Sequence, residues 1–285
     1  MPAPGPYSRH RSFPDLFLGE DPVDGHGYFA DDGTLLADAQ RAAFEHIARK
    51  LRPRPYQHLL DVQCGNGAFL AYACKHFGLT GHGLAPSPKA VEEARERLRQ
   101  EGLEGQATVE HRPLAELGGL GEYDRITCLG GLDQPGHRQL VPMLGAVHRL
   151  LKDNGVFLLE AASRRRDLAH AHGDWLLPRI FPAGDPPSAG SIHILLEDAD
   201  LEVQDAENLR RHAALTYTAW TGQLRVSAEA GHIDANDPTY REQLLELALR
   251  TTYFEEGRLH LYQFLTTKAG PGFGPVPQSR EDLYD

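Results

Sequence analysis

The sequence predicts an α/β fold, a doubly wound and mostly parallel sheet with a helical lid. Three observations support this class. Short apolar strands alternate with amphipathic helices from Leu36 to Ala162. One stretch, HLLDVQCGNGAFL at residues 58–70, has the pattern of a strand, a tight turn and a helix. After Ala162 a Pro/Gly-rich segment and long helical patterns interrupt the alternation, and a final strand follows. Strands alternating with helices form right-handed crossovers and a parallel sheet.

The elements follow in order from the spacing of apolar residues. Residues 1–35 are rich in Pro, Gly and Asp, so they are expected to be an irregular lead-in. Helical spacing from Leu36 to Leu51 predicts the first helix. Strands are then expected at 58–61, 80–84, 107–111, 123–129, from 156, at 201–209 and from 259, and helices at 69–77, 88–100, 140–151, 191–199, 212–220 and 240–255.

The helix at 88–100 has the clearest start signal in the chain. Ser87 is typical of a helix N-cap, and Pro88 suits the first helical position. No repeat or low-complexity linker divides the sequence. We therefore expect a single domain over residues 36–268, with a lid inserted at about 163–258 and a flexible tail at 269–285.

Charge and composition exclude several classes of function. The net charge of −11 argues against a nucleic-acid partner, which needs a basic surface. There is no apolar run of membrane-span length and no apolar signal core, so we expect no membrane span and a cytoplasmic location. Cys64, Cys74 and Cys128 lack paired spacing, as expected for buried thiols. The basic cluster at 164–166 is either a solvated loop or a peripheral contact with a lipid head group or acyl carrier. Oligomeric state is left open.

The turn at residues 61–68 is expected to bind a cofactor. Small residues at the carboxyl end of a strand let a ligand approach the backbone and the helix N-terminus. The turn lacks both G-x-G-x-x-G and the Lys-Ser/Thr pair of a phosphate loop, so a nicotinamide or a nucleoside triphosphate is not the expected ligand. The D-x-G-x-G-x-G turn of S-adenosylmethionine (AdoMet) methyltransferases fits better, although Gln63 stands at its first glycine. The alternative is a purely structural connector.

Four further segments carry a resemblance to a known family. They read PDLFLGEDPVDGHGYFADDGTLLADAQ, WLLPRIFPAGDPPS, LEVQDAENLRRHAALTYTAW and YFEEGRLHLYQF. With them, the chain from about Phe13 to Lys268 resembles the cyclopropane-fatty-acyl-phospholipid synthases and mycolic acid methyltransferases. The resemblance implies a Rossmann-like AdoMet domain with a helical cover over an acyl-chain pocket. In that family an alkene attacks the activated methyl group, and a bound bicarbonate takes a proton from the resulting carbocation.

The resemblance also assigns the cofactor contacts. Asp61, Gly65 and Gly67 match the family turn, with Cys64 between them, whereas Gln63 and Asn66 depart from it. The family's T-L-S-x-x-Q segment is replaced at residues 85–90, and its adenine contact after the third strand is replaced at residues 111–113. The expected cofactor-binding residues are Asp61, Gln63, Cys64, Gly65, Gly67, Leu84, Ala85, Leu129 and Gly130.

The bicarbonate pocket departs further from the family pattern. By resemblance, His26 replaces a Cys, Asp133 a Glu and Glu160 a His. The family's Tyr falls at Glu246, with Leu245 as the other candidate. If these positions converge, an anion site now holds up to three carboxylates and an imidazole, so bicarbonate is not expected to bind. The predicted catalytic residues are His26, Asp133, Glu160 and Glu246.

Three interpretations of this cluster stay open at this point. One carboxylate serves directly as the base that replaces bicarbonate. Alternatively, His26 and the carboxylates bind a divalent metal, which oxygen and imidazole ligands suit. In the third interpretation the carboxylates face solvent or pair with arginines, and the family reaction is lost. A carboxylate pocket could also receive an amine substrate.

The function predicted from these features is that of an AdoMet-dependent C-methyltransferase or cyclopropane-synthase-like enzyme. Its substrate would be an unsaturated acyl chain or a specialised metabolite. By resemblance, Phe181, His212 and Trp220 are expected to form walls of the substrate pocket. The alternative is a homologue that keeps the fold as a scaffold or binding subunit, or that uses the altered pocket for another reaction, with or without a metal.

Overall fold

Helices and strands alternate along the chain as the sequence predicts. The structure is a computed structural model, and it describes residues 17–18, 25–130, 137–165, 181 and 186–283. Over these residues the helices are α1 (Leu36–Leu51), α2 (Ala68–Phe77), α3 (Pro88–Gln100), α4 (His137–Leu150), α5 (Ala189–Asp198), α6 (Arg210–Glu229) and α7 (Pro238–Glu255). The strands are β1 (His58–Asp61), β2 (Thr80–Leu84), β3 (Ala107–Glu110), β4 (Tyr123–Leu129), β5 (Leu151–Arg164), β6 (Leu201–Asn208) and β7 (Leu259–Lys268).

Within the described residues the strands form one sheet in the order β3-β2-β1-β4-β5-β7-β6. The first five strands in this order are parallel to one another. Only β7 breaks this arrangement among them, because it is antiparallel to both β5 and β6. The predicted fold class is therefore confirmed. The strand order reverses between β1 and β4, and in such sheets ligands bind beyond the carboxyl ends of the strands at that point.

The central strand β1 is apolar on both faces because helices cover both sides of the sheet. Leu59 packs in the same core cluster as Leu70 of α2 and Leu98 of α3. Leu60 points to the opposite face and packs with Leu144 of α4. Successive side chains of a strand alternate between faces, and strands buried on both sides read as continuous apolar runs.

Two glycines of β2 allow α2 and the turn before it to lie close to the sheet. A Cβ atom on Gly81 would lie 2.6 Å from the Sγ of Cys74, and one on Gly83 would lie 2.7 Å from the Sγ of Cys64. There is no room for a side chain at either position. The amide of Cys64 also donates to the carbonyl of Leu84 at 3.1 Å. The turn after β1 is thereby fixed over the end of β2.

The start of α3 confirms the predicted capping. The Oγ of Ser87 accepts a hydrogen bond from the amide of Ala90 at 3.2 Å, and Pro88 occupies the first turn. In contrast, β5 begins at Leu151, five positions before the expected Val156, because Tyr123 of β4 pairs with Leu151 ahead of a register shift.

The range predicted for the lid contains two elements of the sheet domain. Strand β6 is the edge of the sheet, and α5 packs on it, because Ile192 and Leu196 lie one helical turn apart in the core cluster that also contains α4 residues. Helices α6 and α7 pack on each other in a separate cluster with Phe17, Phe29 and the start of β7. Among the described residues, the cover is this helix pair.

The segment after β7, predicted to be a flexible tail, returns to the domain in the structure. Asp282 forms an ion pair with Arg52 at the end of α1, and Leu283 is buried. Arg280 pairs with Asp205 of β6 at 3.1 Å. The Gly- and Pro-rich sequence of residues 269–285 has no periodicity that would predict these contacts.

Across the residues that the structure covers, no helix has the length and apolarity needed to cross a membrane.

Candidate active site

A cavity of about 650 Å³ lies beyond the carboxyl ends of β1, β2 and β4 and is also lined by Glu160 of β5. Its size is in the range of small-molecule sites, roughly 300–1,000 Å³. One end, which we call the turn end, is formed by residues 61–66 and 111–115. The other end, which we call the polar end, is formed by Gly25, His26 and Glu160. The sheet register explains why both ends belong to one cavity. Asp61 of β1 pairs with Thr127 of β4, and Leu129 of β4 pairs with Glu160 of β5.

Glycine geometry shapes the turn end. Gly65 and Gly67 have φ values of +52° and +75°, in the left-handed region that favours glycine. A Cβ atom on Gly67 would lie 3.1 Å from the Cβ of Ala94, so α3 also approaches this position closely. The Gly67 amide donates to the carbonyl of Cys64 at 2.7 Å, which closes the turn at the start of α2.

The predicted cofactor residues gather at this end of the cavity. Those that line it are Asp61, Gln63, Cys64, Gly65, Leu84, Ala85 and Leu129. Gly67 and Gly130 are not part of the lining. Gln63, which stands where the family turn has a glycine, accepts a hydrogen bond from the thiol of Cys128 at 3.2 Å. The replacement is thus accommodated by a partner on β4.

Asp61 is a buried carboxyl group at the floor of the cavity. Burial raises its pKa from 3.8 to about 7, while the Thr127 side chain and the Gln63 amide act in the opposite direction. Its Oδ1 atom has no hydrogen-bond partner among the described residues. Buried polar atoms are normally paired, so this atom is available to a ligand. Burial and the charge of Asp61 also raise the pKa of Cys64, which keeps this thiol protonated.

The sequence did not single out one wall of the cavity, which α4 supplies. Gln139, Pro142, Met143 and Ala146 line it. Their spacing is i, i+3, i+4 and i+7, which places them on one helical face. That periodicity is visible in the sequence, but it indicates only a buried face. On the far side, the imidazole of His111 forms a hydrogen bond with the carbonyl of Ala85 at 3.0 Å and so holds residues 111–115 against the end of β2.

At the polar end, His26 and Glu160 form a buried pair. The Nδ1 of His26 lies 3.0 Å from the Oε1 of Glu160, and the two residues are 7% and 5% exposed. The amide of Gln263 on β7 donates to the Oε2 of Glu160 at 2.8 Å. His26 lies in an irregular segment that the Gly27 amide ties to α6 by donating to the Oγ1 of Thr216 at 3.0 Å. Two of the predicted catalytic residues therefore meet in the cavity.

A hydrogen-bonded network extends behind Glu160, and the sequence analysis missed it. The ammonium group of Lys50 donates to the Oε1 of Gln263 at 2.8 Å and also pairs with Glu207 of β6. The ring of His46 lies 2.6 Å from the same Glu207 oxygen. Burial raises the pKa of Glu207, but the His46 hydrogen bond and the Lys50 charge outweigh it, and the pKa falls to about 2. In the sequence, this network is indicated only by His46 and Lys50, which lie four residues apart and so share one face of α1.

The other two predicted catalytic residues are not part of this arrangement. Asp133 lies outside the described residues. Glu246 does not line the cavity and instead accepts from Arg250, one turn along α7, at 2.9 Å. Leu245, the other candidate for that position, is exposed. Over the part of the chain that the structure describes, no group of three or more His, Cys, Asp or Glu side chains could hold a metal ion.

Of the three predicted pocket walls, Phe181 and Trp220 lie in the core of the helical cover and His212 is half-buried, and none of them lines this cavity. Phe181 is buried beneath the guanidinium of Arg250, 5.3 Å from its ring. His212 accepts from the Phe29 amide at 3.0 Å, and burial lowers its pKa. Trp220 is fully buried, with its ring centroid 6.3 Å from that of His26. Aromatic packing, which resemblance to a motif does not distinguish from a cavity wall, accounts for these positions.

Comparison with known proteins places this site in a family. The family model described as mycolic acid cyclopropane synthetase matches residues 7–264. The chain is 27% identical over 283 residues to a probable fatty acid methyltransferase of Pseudomonas putida, covering 98% of this chain and 72% of that protein. It is also 24% identical over 282 residues to cyclopropane mycolic acid synthase 3 of Mycobacterium tuberculosis, covering 92% of this chain and 95% of that one. It spans only 62% of another relative, probable fatty acid methyltransferase Rv3720 of the same organism.

Solved structures share the fold. The cyclopropane synthase MmaA2 of Mycobacterium tuberculosis superposes with a TM-score of 0.82 at 22% identity, covering 92% of this chain and 95% of that one. The mycolic acid cyclopropane synthase CmaA1, solved in complex with SAH and CTAB, gives a TM-score of 0.80 at 23% identity, covering 89% and 92% of the two chains. The predicted enzyme class, an AdoMet-dependent methyltransferase of the cyclopropane-synthase type, is confirmed at the level of family and fold. Because the family model extends over most of the chain, the protein belongs to the mycolic acid cyclopropane synthetase family.

Proposed function

We propose that this protein transfers a methyl group from AdoMet to a carbon–carbon double bond of an acyl chain, and that Glu160 takes up the proton for which the family uses bicarbonate. The observation that carries this proposal is the single cavity that joins the cofactor turn to the His26–Glu160 pair. Methyl transfer and proton removal must occur close together, since the proton is lost from the substrate that has just received the methyl group.

The turn end fits AdoMet. The Oδ1 atom of Asp61 is buried without a partner in the described chain, so it can accept from a cationic or donor group of the cofactor. No atom lies within 4 Å of a Cβ built on Gly65, which leaves the backbone of the turn open to a ligand. When bound, AdoMet supplies a methyl group activated by a sulfonium. SAH in the related CmaA1 structure supports a cofactor of this chemical class.

Apolar side chains in the lining of the cavity would exclude water and position the substrate. Phe44, Ile47, Phe69 and Met143 are among them. Positioning is the main source of acceleration in such a transfer. The names of the relatives support an acyl substrate. One is a probable fatty acid methyltransferase and another is a sphingolipid C9-methyltransferase of Komagataella phaffii, 26% identical over 228 residues, or 75% of this chain and 47% of that protein.

In the proposed reaction Glu160 accepts the proton. When the alkene bonds to the methyl carbon, the sulfur–methyl bond breaks and the neighbouring substrate carbon becomes cationic. A proton then passes from the substrate to the Glu160 carboxylate, and the freed electron pair closes a ring or restores a double bond. Each carboxylate oxygen accepts one hydrogen bond, from His26 or from Gln263, and keeps a second lone pair. His26 and Gln263 thus hold the carboxylate without blocking it.

Calorimetry and product analysis test this proposal in order. We expect both AdoMet and S-adenosylhomocysteine to bind, and failure of both at millimolar concentration would exclude the methyltransferase. Vesicles of a monounsaturated phospholipid are then incubated with methyl-labelled AdoMet, and the lipids are analysed by mass spectrometry. We expect a labelled product heavier by one CH₂ unit, and none from the matched saturated phospholipid. Binding without product from any unsaturated acyl lipid would favour a scaffold or a different reaction.

A further inference from the structure

Lys50 is a fully buried cation near the end of α1. It is 1% exposed, and it lies on α1 beside Ile47 and Leu51, which are core residues. An ammonium group loses a large solvation energy on burial unless charged and polar partners replace the water. Lys50 has two kinds of partner, the carboxylate of Glu207 and the amide oxygen of Gln263. A second carboxylate, Asp205, lies 4.0 Å away.

The contact with Gln263 fixes the direction of its amide. A lysine ammonium group only donates hydrogen bonds, so the group of Gln263 that faces Lys50 must be its oxygen. The NH₂ group then points the opposite way, to the Oε2 of Glu160 at 2.8 Å. Glu160 and Gln263 are paired residues on β5 and β7, which sets their spacing. Three side chains on three elements therefore form one directed chain of donors that ends at Glu160.

We propose that Lys50 is a positioning residue for the reaction, acting through Gln263 to hold the Glu160 carboxylate in its proton-accepting form and orientation. This inference rests on the proposed function, in which Glu160 takes up the proton. A Gln263 amide that turned around would present its oxygen to Glu160, and two facing oxygens are compatible only if Glu160 carries a proton. A protonated Glu160 cannot act as the base. Lys50 prevents that arrangement from a position outside the cavity.

Other charged and titratable groups also face Glu160. His26 contacts it from the segment before α1. The thiol of Cys128 on β4 is also near, since burial, the charge of Asp61 and the charge of Glu160 together raise the pKa of Cys128. Glu207 and Asp205 lie behind Lys50 on β6 and offset its charge. The purely structural alternative is that Lys50 only neutralises these two carboxylates. That alternative predicts lost stability on substitution but no change at Glu160.

Two substitutions of Lys50 separate these roles. Lys50→Met removes the donor to Gln263, whereas Lys50→Gln loses the charge but keeps an N–H donor. We expect the acid limb of the pH–rate profile to move upward by about one pH unit in K50M, a tenfold change in the ratio of protonated to ionised carboxyl. We expect K50Q to keep the midpoint of the unaltered protein. Equal midpoints in K50M and the unaltered protein would overturn the inference.

Arg125→Met supplies a matched control. Arg125 is also a buried cation near the end of α1, where it donates to the carbonyls of Leu51 and Arg52. Its loss is expected to lower stability without moving the pH midpoint. Gln263→Met is the second variant, since it removes the donor to Glu160 and leaves the Lys50–Glu207 pair in place, so an upward shift is expected there even if K50M does not fold. An unmoved midpoint in Q263M would contradict the inference in the same way.

A spectroscopic readout separates failure of this inference from failure of the proposed function. The carboxyl carbons of glutamate are labelled with ¹³C, and the Glu160 signal is assigned by its absence in Glu160→Gln. Its titration is then followed in the unaltered protein, K50M, K50Q and Q263M without substrate. We expect the same upward shifts as in the rate profile. If the unaltered protein methylates no lipid but the shifts occur, the proposed function fails and the positioning by Lys50 stands. If methylation occurs without the shifts, only the positioning role fails.

Discussion

The two buried carboxyl groups of the cavity differ in how far the protein satisfies their oxygen atoms. At the turn end, Asp61 is a buried carboxyl group with an oxygen that lacks a partner in the described chain. At the polar end, both oxygens of Glu160 accept hydrogen bonds, from His26 and Gln263. An unsatisfied buried atom is costly until a ligand pairs with it, whereas a satisfied one needs no ligand. The Asp61 carboxyl group is thus open to a ligand, whereas the Glu160 carboxylate is already paired. One other atom of the polar end, the Nε2 of His26, is buried without a hydrogen-bond partner among the described residues and can also contact a ligand.

This difference suggests why the polar end would work without bicarbonate. In the family pattern that this chain resembles, an anion occupies that end. Here a carboxylate belonging to the chain itself lies there, and a second anion at contact distance would be repelled. The network behind Glu160 includes a cation, Lys50, but Glu207 already offsets its charge.

The largest effect is expected from Glu160→Gln at the polar end. The substitution keeps the size of the side chain but removes the base, and a placed general base contributes about 10²- to 10⁴-fold in rate. We expect kcat for methyl transfer to fall by that factor while AdoMet binding, measured by calorimetry, is retained. Glu93→Gln, on the exposed surface of α3, is the control and should keep its rate. An E160Q protein with the rate of the unaltered enzyme would show that Glu160 is not the base.

At the turn end, Asp61→Asn should change how stability depends on pH. Burial raises the pKa of Asp61 from 3.8 to about 7, so the folded protein binds a proton that the unfolded chain releases between these values. Its contribution to stability is therefore present at about pH 4 and is lost as the pH rises to about 7. Three pKa units correspond to on the order of 4 kcal/mol.

Chemical denaturation at a series of pH values measures this effect. We expect the free energy of unfolding of the ligand-free protein to fall relative to D61N between about pH 4 and about pH 7, and then to stay level. Ionisable groups that are present in both proteins contribute equally to the two free energies of unfolding, so they cancel in the difference. A difference that is constant with pH would mean that Asp61 is not a buried, unsatisfied carboxyl group.

Glu207→Gln should give the opposite sign, because the Glu207 carboxylate is paired with His46 and Lys50 in the network behind Glu160. Despite its partial burial, the hydrogen bond with His46 and the charge of Lys50 lower the pKa of Glu207 from 4.5 to about 2. The unfolded chain thus binds more protons in that window, and the contribution of Glu207 is present above about pH 4.5 and is lost as the pH falls toward 2. We expect the unaltered protein to lose on the order of 2 to 3 kcal/mol relative to E207Q over that window. A relative gain on acidification would contradict the proposed network.

The smallest effect is expected from Gly67→Ala in the turn. Gly67 has a φ of +75°, and a non-glycine residue there costs about 1–2 kcal/mol. The new Cβ would also press on Ala94 at 3.1 Å. We expect a loss of that size in the free energy of unfolding, together with weaker AdoMet binding. Gly105→Ala is the matched control, since Gly105 has open space around it and no left-handed φ. If Gly67→Ala and Gly105→Ala were equally stable, the left-handed φ of Gly67 would not make a side chain there costly.

The sequence predicts the turn end better than the polar end, for a physical reason. Strand periodicity, glycines and the Ser87 cap are local signals, and they locate the strands and the turn within a few residues. The contact between His26 and Glu160 joins positions 134 residues apart, and only resemblance to a family brought them together. Lys50 does not stand out in the sequence, because a lysine is equally compatible with the helical pattern of α1 whether it is buried or exposed. Its partners come from β6 and β7, more than 150 residues away in the chain.

Other expectations differ from the structure because one face of a helix cannot be distinguished from another by alignment alone. Glu246 is aligned with a family tyrosine, with Leu245 as the other candidate, and a shift of one residue rotates a side chain by about 100°. In the structure Glu246 pairs with Arg250. Phe181 and Trp220 are residue types that also occur in pocket walls, but in the structure they belong to a packed core. Apolar residues at helical spacing fit either place equally well.

The dependence of methyl transfer on bicarbonate tests the central claim most directly. Product formation is measured with the unaltered enzyme in buffer freed of carbon dioxide, and again after bicarbonate is added. If the Glu160 carboxylate replaces the anion, the rate is the same in both buffers. A rate that collapses without bicarbonate and recovers when it is added would show that the polar end still receives an anion, and would contradict the account.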